Sequence, residues 1–344
     1  MSKRIIASIL ALAVAVGCGK KSDTAPGADS TKTMSTALTG AGSTFIEPIM
    51  THWVSEFAKA GNPNVNYQGV GSGAGINNLI DHTVDFAGSD APMNQGELDR
   101  AKAPVVHIPA VIGAVCVCYN IKGVDSGLKL DGDVLSKIFM QTVTYWDAPE
   151  IKAMNPGMKL PHEKIFTVHR SDGSGTTAIF TNYLTKVSDT WKSKIGEGKT
   201  VNWPESALGG KGNAGVAGIL KEHANSIGYV ELAYAEQNKI PYAQMKNSAG
   251  NFVNPSVESA SAAADGVDMG ATLTPMITNT ANPQGYPITG FSWCIMYKNS
   301  PKGTDVKKFM HWIISDGQND CKALYYAPLP ESVRKLASAA IDAQ

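Results

Sequence analysis

The chain has 344 residues, of which 43% are hydrophobic, 17% are charged and 34 are glycine. That is enough for a large core, and chains above roughly 250–300 residues tend to divide into more than one domain, so two α/β lobes are expected. Lys and Arg total 30 and Asp and Glu total 30; no global basic field exists to attract nucleic acid, and an anionic ligand would have to be held by local groups.

The first segment reads as an address. Lys3 and Arg4 precede an uncharged apolar stretch, Ile5–Val16, which is shorter than the roughly 20 residues a spanning helix needs. Small residues then lead into a cysteine in Ala15-Val16-Gly17-Cys18. This predicts a secretory signal over 1–17 that looks like a bacterial lipoprotein signal, with Cys18 as the lipidated first residue; a plain signal peptide cut nearby is the alternative. Residues 18–36 are polar and read as a flexible tether. The mature chain, with Lys3 and Arg4 removed, has a net charge of −2. It would work outside the cytoplasm, anchored to a membrane without crossing it.

Short β-rich runs then alternate with helical patterns, as in α/β proteins. A strand at Ala37–Thr39 runs into the small-residue loop "GAGSTF", and Ile46, Ile49, Met50, Trp53, Val54 and Phe57 follow at helical spacing. Pro48 falls in the first turn, where it is tolerated. A strand at Val65–Val70 meets "GSGAG", and a helix begins with Ile76, Leu79 and Ile80 on one side. Val84–Ala87 ends at "GSDAPM", which contains Asp90. Val105–Tyr119 is strand-like with a break expected near Gly113. A strand at Ile165–His169 leads through "RSDGSGT" into a helix that should bury Ile179, Phe180, Tyr183, Leu184 and Val187. Residues 203–218 are loop-rich and turn helical near their end. Phe291–Tyr297 is an apolar strand. In "TDVKKFMHWIIS", Thr304 is the expected N-cap and Val306, Phe309, Met310, Ile313 and Ile314 form the core face.

Three of these junctions place small residues between a strand and a helix start. There the first N–H groups lack internal partners and the aligned dipoles favour negative charge, so each is a ready anion site. Enzyme motifs built from the same residues fail. "GEGKT" lacks the first Gly of a P-loop, because position 193 is Ser; "GVGSGAG" has Ala74 or Ile76 where a dinucleotide fingerprint needs Gly; Ser72 and Ser174 each follow Gly directly, unlike a nucleophile elbow. His169 reads as a strand-end residue rather than a base. Cys116, Cys118, Cys294 and Cys321 could be buried thiols or a disulfide; three pairings are open, and the two close pairs of a zinc site are missing. No metal or cofactor is expected.

Together, "LTGAGSTF", "NYQGVGSGAG", "VDFAGSDAPM", "HRSDGSGT", "GGKGNAGVA", "IGYVELAYA" and "YAPLP" make residues 37–344 resemble the periplasmic phosphate-binding protein of the bacterial phosphate ABC transporter. The resemblance implies an α/β fold of the periplasmic binding protein type II, in which two lobes are joined by two hinge crossings with a ligand cleft between them. Lobe I would be 37–120 plus 288–344 and lobe II 121–287, with crossings near Asn120–Gly123 and Tyr286–Gly290. By matching motif positions, it implies phosphate contacts from Thr44, Phe45, Ser72, Asp90, Arg170, Asp172, Ser174, Gly175 and Thr176, with Phe45 and Gly175 acting through backbone N–H groups. Ser171 and the "SGAG" form of the second loop vary from some relatives, in small ways.

The implied partners are inorganic phosphate, the transporter's membrane permease and a membrane through Cys18, with the receptor itself a monomer and not an enzyme. Phosphate near neutral pH still carries a proton. Arg170 can donate in bidentate fashion, Asp172 is expected to orient that guanidinium, and an ionised Asp90 can only accept, so Asp90 should take the ligand's proton. Sulfate has none to offer. A receptor for another tetrahedral oxyanion, sulfate or molybdate, is the alternative, and a phosphatase-type enzyme a more distant one.

Overall fold

The computed structural model describes residues 37–344. The signal, the tether and Cys18 lie outside them. In chain order the first part holds β1 (Leu38–Gly42), α1 (Glu47–Lys59), β2 (Val65–Gly69), α2 (Ser72–Ile80), β3 (Phe86–Ser89), α3 (Gln95–Ala101) and the long β4 (Val105–Asn120). Next come β5 (Lys129–Leu130), α4 (Gly132–Phe139), α5 (Pro149–Met154), β6 (Phe166–Arg170), α6 (Gly175–Val187), α7 (Asp189–Lys194), β7 (Leu208–Gly210) and α8 (Gly212–Glu222). The chain continues through β8 (Ser226–Glu231), α9 (Leu232–Asn238), β9 (Gln244–Lys246), β10 (Phe252–Val253), α10 (Val257–Ala264), β11 (Thr289–Tyr297), α11 (Gly303–Ile314) and α12 (Glu331–Asp342).

The large sheet has the order β2-β1-β3-β11-β4-β8-β6-β7, and a small one has β10-β9-β5. β1 runs parallel to β2 and β3, and β6 runs parallel to β7 and β8, whereas β11 and β4 pair antiparallel with their neighbours. Two parallel groups therefore flank an antiparallel centre. Helices pack on the sheet, which is why the central strands are buried along almost their whole length rather than alternating. This is the two-lobe periplasmic binding protein architecture. Among the described residues, no helix is long and apolar enough to cross a membrane.

Several sequence expectations change in detail. No break occurs at Gly113: β4 is continuous but changes partner, pairing with β11 up to Ala114 and with β8 from Val115 onward. Gly113 is required there by packing, since a Cβ at that position would lie 2.4 Å from the Phe45 ring. Helix α11 is capped at Lys302, not Thr304; a turn that gives the Gly303 N–H to the Ser300 carbonyl starts the helix early. Its predicted core face is buried as expected. In α6, Ile179, Phe180, Tyr183 and Leu184 are buried but Val187 is only partly so. The four described cysteines are all buried free thiols, two of them, Cys116 and Cys118, two residues apart on β4.

Candidate functional site

The parallel strands deliver the site. β1 ends into Ser43, Thr44 and Phe45, β2 into Ser72, β3 into Asp90, β6 into Arg170 and the loop that opens α6, and β7 into Gly212 and Asn213. Ligands of open α/β sheets bind at such carboxyl ends. The nine residues expected from sequence are brought together here, and apart from Asp172 all are buried.

Asp90 is 1% exposed. Ser43 Oγ donates to both of its oxygens, at 2.6 Å to Oδ1 and 2.7 Å to Oδ2, and Ser292 Oγ donates to Oδ1 at 2.7 Å. Ser72 Oγ stands 3.5 Å from Oδ2. Burial pushes the carboxyl from the ordinary 3.8 up to about 6, against the lowering pull of Ser43, Ser292, Arg170 and Ser72. The start of α6 abuts this acid so closely that a Cβ on Gly175 would fall 2.5 Å from Asp90 Oδ2; only glycine lets the helix end approach. Asp90 does not cap a helix, since Asn94 caps α3 through a capping box with Glu97.

Arg170 is treated differently. Its Nε donates to Asp172 Oδ1 at 2.8 Å and its Nη2 to Asp172 Oδ2 at 2.6 Å, while Nη1 donates to Thr176 Oγ1 at 3.1 Å. The Gly212 N–H also donates to Asp172 Oδ1, at 3.0 Å. The pair is buried, with 1% of the Arg170 side chain and 15% of the Asp172 side chain exposed. Burial would raise the Asp172 carboxyl, but the bonds and charge of Arg170 and the Gly212 N–H hold it below the usual carboxylate range. Five guanidinium donors, three so engaged, leave two N–H bonds for an anion.

The remaining predicted residues are tied into the same network. Ser174 caps α6, accepting from the Thr177 N–H at 3.0 Å, so its own hydroxyl proton stays available. The Gly175 N–H donates to Ser72 Oγ at 3.0 Å and the Phe45 N–H to Ser43 Oγ at 2.9 Å. The Phe45 ring is fully buried. Thr44 Oγ1 accepts from the Asn213 N–H at 3.1 Å and from Asn213 Nδ2 at 3.0 Å.

Sequence reasoning missed Ser43, Asn213 and Ser292. Asn213, fully buried, links Thr44 to Thr176 and accepts the Glu231 N–H at 3.0 Å. It sits in the quoted "GGKGNAGVA", where a polar residue among small ones at a helix start was a usable signal. Ser43 stood inside "GAGSTF" beside the chosen Thr44. Ser292 is one hydroxyl within an apolar strand, and only tertiary structure shows what it faces.

Comparison with known proteins gives the family. Residues 24–317 match the family described as the PBP superfamily domain. The chain is 42% identical over 320 residues to the phosphate-binding protein PstS of Xylella fastidiosa, covering 91% of this chain and 86% of that protein. It is also 42% identical over 303 residues to PstS of Haemophilus influenzae, covering 86% and 90% respectively. The solved structure of a phosphate-binding protein from Stenotrophomonas maltophilia has a TM-score of 0.66 at 19% identity, covering 88% of this chain and 93% of that one, a likeness of fold. With identity of this extent along nearly the whole chain, and with the sheet and strand-end loops described above, the protein belongs to the PstS family of phosphate-binding proteins, within the PBP superfamily.

Proposed function

We propose that this chain is an extracytoplasmic, high-affinity receptor for inorganic phosphate that hands its cargo to the permease of an ABC transporter. The names of its relatives as phosphate-binding proteins support the cargo and a binding rather than catalytic role. Residues 37–120 with 288–344 form one lobe and 121–287 the other; the cleft between them closes on the ion by hinge motion. Cys18 carries the lipid that holds a monomeric receptor at a membrane.

Thr44, Phe45, Ser72, Arg170, Ser174, Gly175 and Thr176 bind the anion, the Phe45 and Gly175 N–H groups being shared between it and the Ser43 and Ser72 hydroxyls. Arg170 supplies charge and its two remaining N–H bonds, oriented by Asp172. Serine and threonine hydroxyls and the positive end of α6 donate to the bare oxygens. Asp90 accepts the proton that phosphate keeps. Against sulfate the same carboxylate would meet lone pairs with lone pairs, an unfavourable contact that rejects the wrong ligand.

The observation that carries this reading is a fully buried carboxylate, solvated by serine hydroxyls, set against the start of α6 in a site otherwise rich in donors. Titration calorimetry with phosphate, arsenate and sulfate tests it. Phosphate should bind, arsenate should compete and sulfate should bind poorly. Sulfate binding as tight as phosphate would overturn the reading.

A further inference from the structure

The two oxygens of Asp90 are not equivalent. Oδ1 accepts short bonds from both Ser43 and Ser292, whereas Oδ2 shares the Ser43 proton and otherwise has only the 3.5 Å approach of Ser72. A carboxylate offers about four lone-pair sites, so Oδ2, with one short hydroxyl contact fewer, keeps more acceptor capacity than Oδ1. Oδ2 is also the oxygen that faces Gly175 and the start of α6.

Both serines are fixed. The Phe45 N–H donates to Ser43 Oγ at 2.9 Å, which leaves the single Ser43 proton directed at Asp90. Ser292 lies where the pairing of β11 with β4 slips: Ser292 is opposite Val111 but Trp293 is opposite Pro109, so Ala110 is left out of the ladder. Proline lacks the N–H that would continue the ladder, and bulges of this kind re-aim side chains beside functional sites.

We propose that Ser43 and Ser292 are specificity-determining positioning residues: they occupy Oδ1 and keep Asp90 an obligate acceptor, leaving Oδ2 to take the ligand's proton. This rests on the phosphate reading above and deepens it. The charged and titratable groups that act on Asp90 from the packed elements are Arg170 on β6, which favours its ionised form, and Glu231 on β8, Tyr67 on β2 and Tyr326, whose own protons are held tightly by burial first and by the Asp90 charge in addition. The guanidinium of Arg170 is forked onto Asp172, so the serines are the direct partners. Burial already brings Asp90 up to about 6. Losing one serine donor raises it further, into the neutral range. A protonated Asp90 becomes a donor and no longer rejects a fully ionised oxyanion.

The test is sulfate affinity of the full-length protein across pH 5–9, measured by calorimetry for wild type, Ser43→Ala, Ser292→Ala, Ser43→Thr and Asp90→Asn. In wild type, sulfate binding should strengthen as pH falls through about 6. In each alanine variant that midpoint should move up by about one pH unit, giving roughly fivefold tighter sulfate binding at pH 7 and approaching about tenfold at pH 8–9. Ser43→Thr keeps the hydroxyl and should keep the wild-type midpoint. Alanine variants that weaken both anions without moving the midpoint, while Asp90→Asn flattens the profile, would overturn the role of the serines alone. A wild-type profile retained in Asp90→Asn would instead remove Asp90 from discrimination altogether.

Discussion

Asp172 and Asp90 are two acids in one site, held in opposite ways. Asp172 is gripped on both oxygens by a guanidinium and stays below the usual carboxylate range. Asp90 has hydroxyl partners and is pushed up to about 6. A cation fixes an acid as permanently ionised but consumes its acceptor capacity. Hydroxyls solvate it while leaving part of its acceptor capacity unused. On the proposed reading, the first arrangement provides attraction for any small anion and the second a choice among anions.

Arg170→Ala should break the attraction side most severely. It removes the cation and strands a buried Asp172, a class of change that costs about 3–5 kcal/mol. Phosphate affinity should drop on the order of 10³-fold, and denaturant unfolding should show a loss of stability. A loss below about tenfold would place Arg170 outside the ligand's reach.

The two acids should also differ in the sign of their pH dependence. Asp90 has a folded value above its ordinary 3.8, so its contribution favours folding at low pH and is lost as pH rises towards and through about 6. A shift of that size corresponds to about 3 kcal/mol. Asp172 has a folded value below the ordinary range, so its contribution is present at neutral pH and lost in acid. Unfolding of phosphate-free protein between pH 4 and pH 7 should therefore show a falling component that disappears in Asp90→Asn. A wild-type curve identical to that of the variant would deny the desolvation of Asp90.

Asn213→Ala sharpens the comparison from the neutral side. It removes donors to Thr44 and Thr176 and the acceptor of the Glu231 N–H, a change of about 1–3 kcal/mol. Phosphate should bind about 10- to 100-fold more weakly with the phosphate-to-sulfate ratio unchanged, because neither acid is touched. A changed ratio would show that discrimination extends beyond Asp90.

The smallest effect belongs to the ion pair at the edge of the site. Lys199 Nζ meets Glu97 Oε2 at 2.7 Å, with 13% of each side chain exposed, and joins the loop whose Lys199 carbonyl accepts the Ser174 N–H to helix α3. Because the pair braces the site from outside the ligand's reach, Lys199→Ala should change phosphate affinity by about 1 kcal/mol or less, and salt should move the difference little. A much larger loss of affinity would assign Lys199 a direct contact with the anion.

Much of this was legible in sequence because strand-to-helix junctions announce themselves through small residues. "GAGSTF", "GSGAG" and "RSDGSGT" each sit where a parallel strand ends, and the Arg170–Asp172 fork was readable from a spacing of two residues. What stayed hidden depended on long-range pairing. The partner switch along β4 reads locally as a break at Gly113, since periodicity cannot report that a strand continues into a different neighbour. Ser292 is separated from Asp90 by 202 residues, and it meets that acid through the register of β11 rather than any local motif. The early start of α11 depends on a turn at Ser300–Gly303, which outranked the better capping residue, Thr304.

The most direct measurement is competitive titration of phosphate and sulfate on wild type and Asp90→Asn at pH 8, where the wild-type acid is ionised. If a ligand proton received by Asp90 sets selectivity, the variant should narrow the preference for phosphate by at least about 100-fold, mainly through tighter sulfate binding. If Asp90→Asn still excludes sulfate as strongly as wild type, selectivity arises elsewhere in the site.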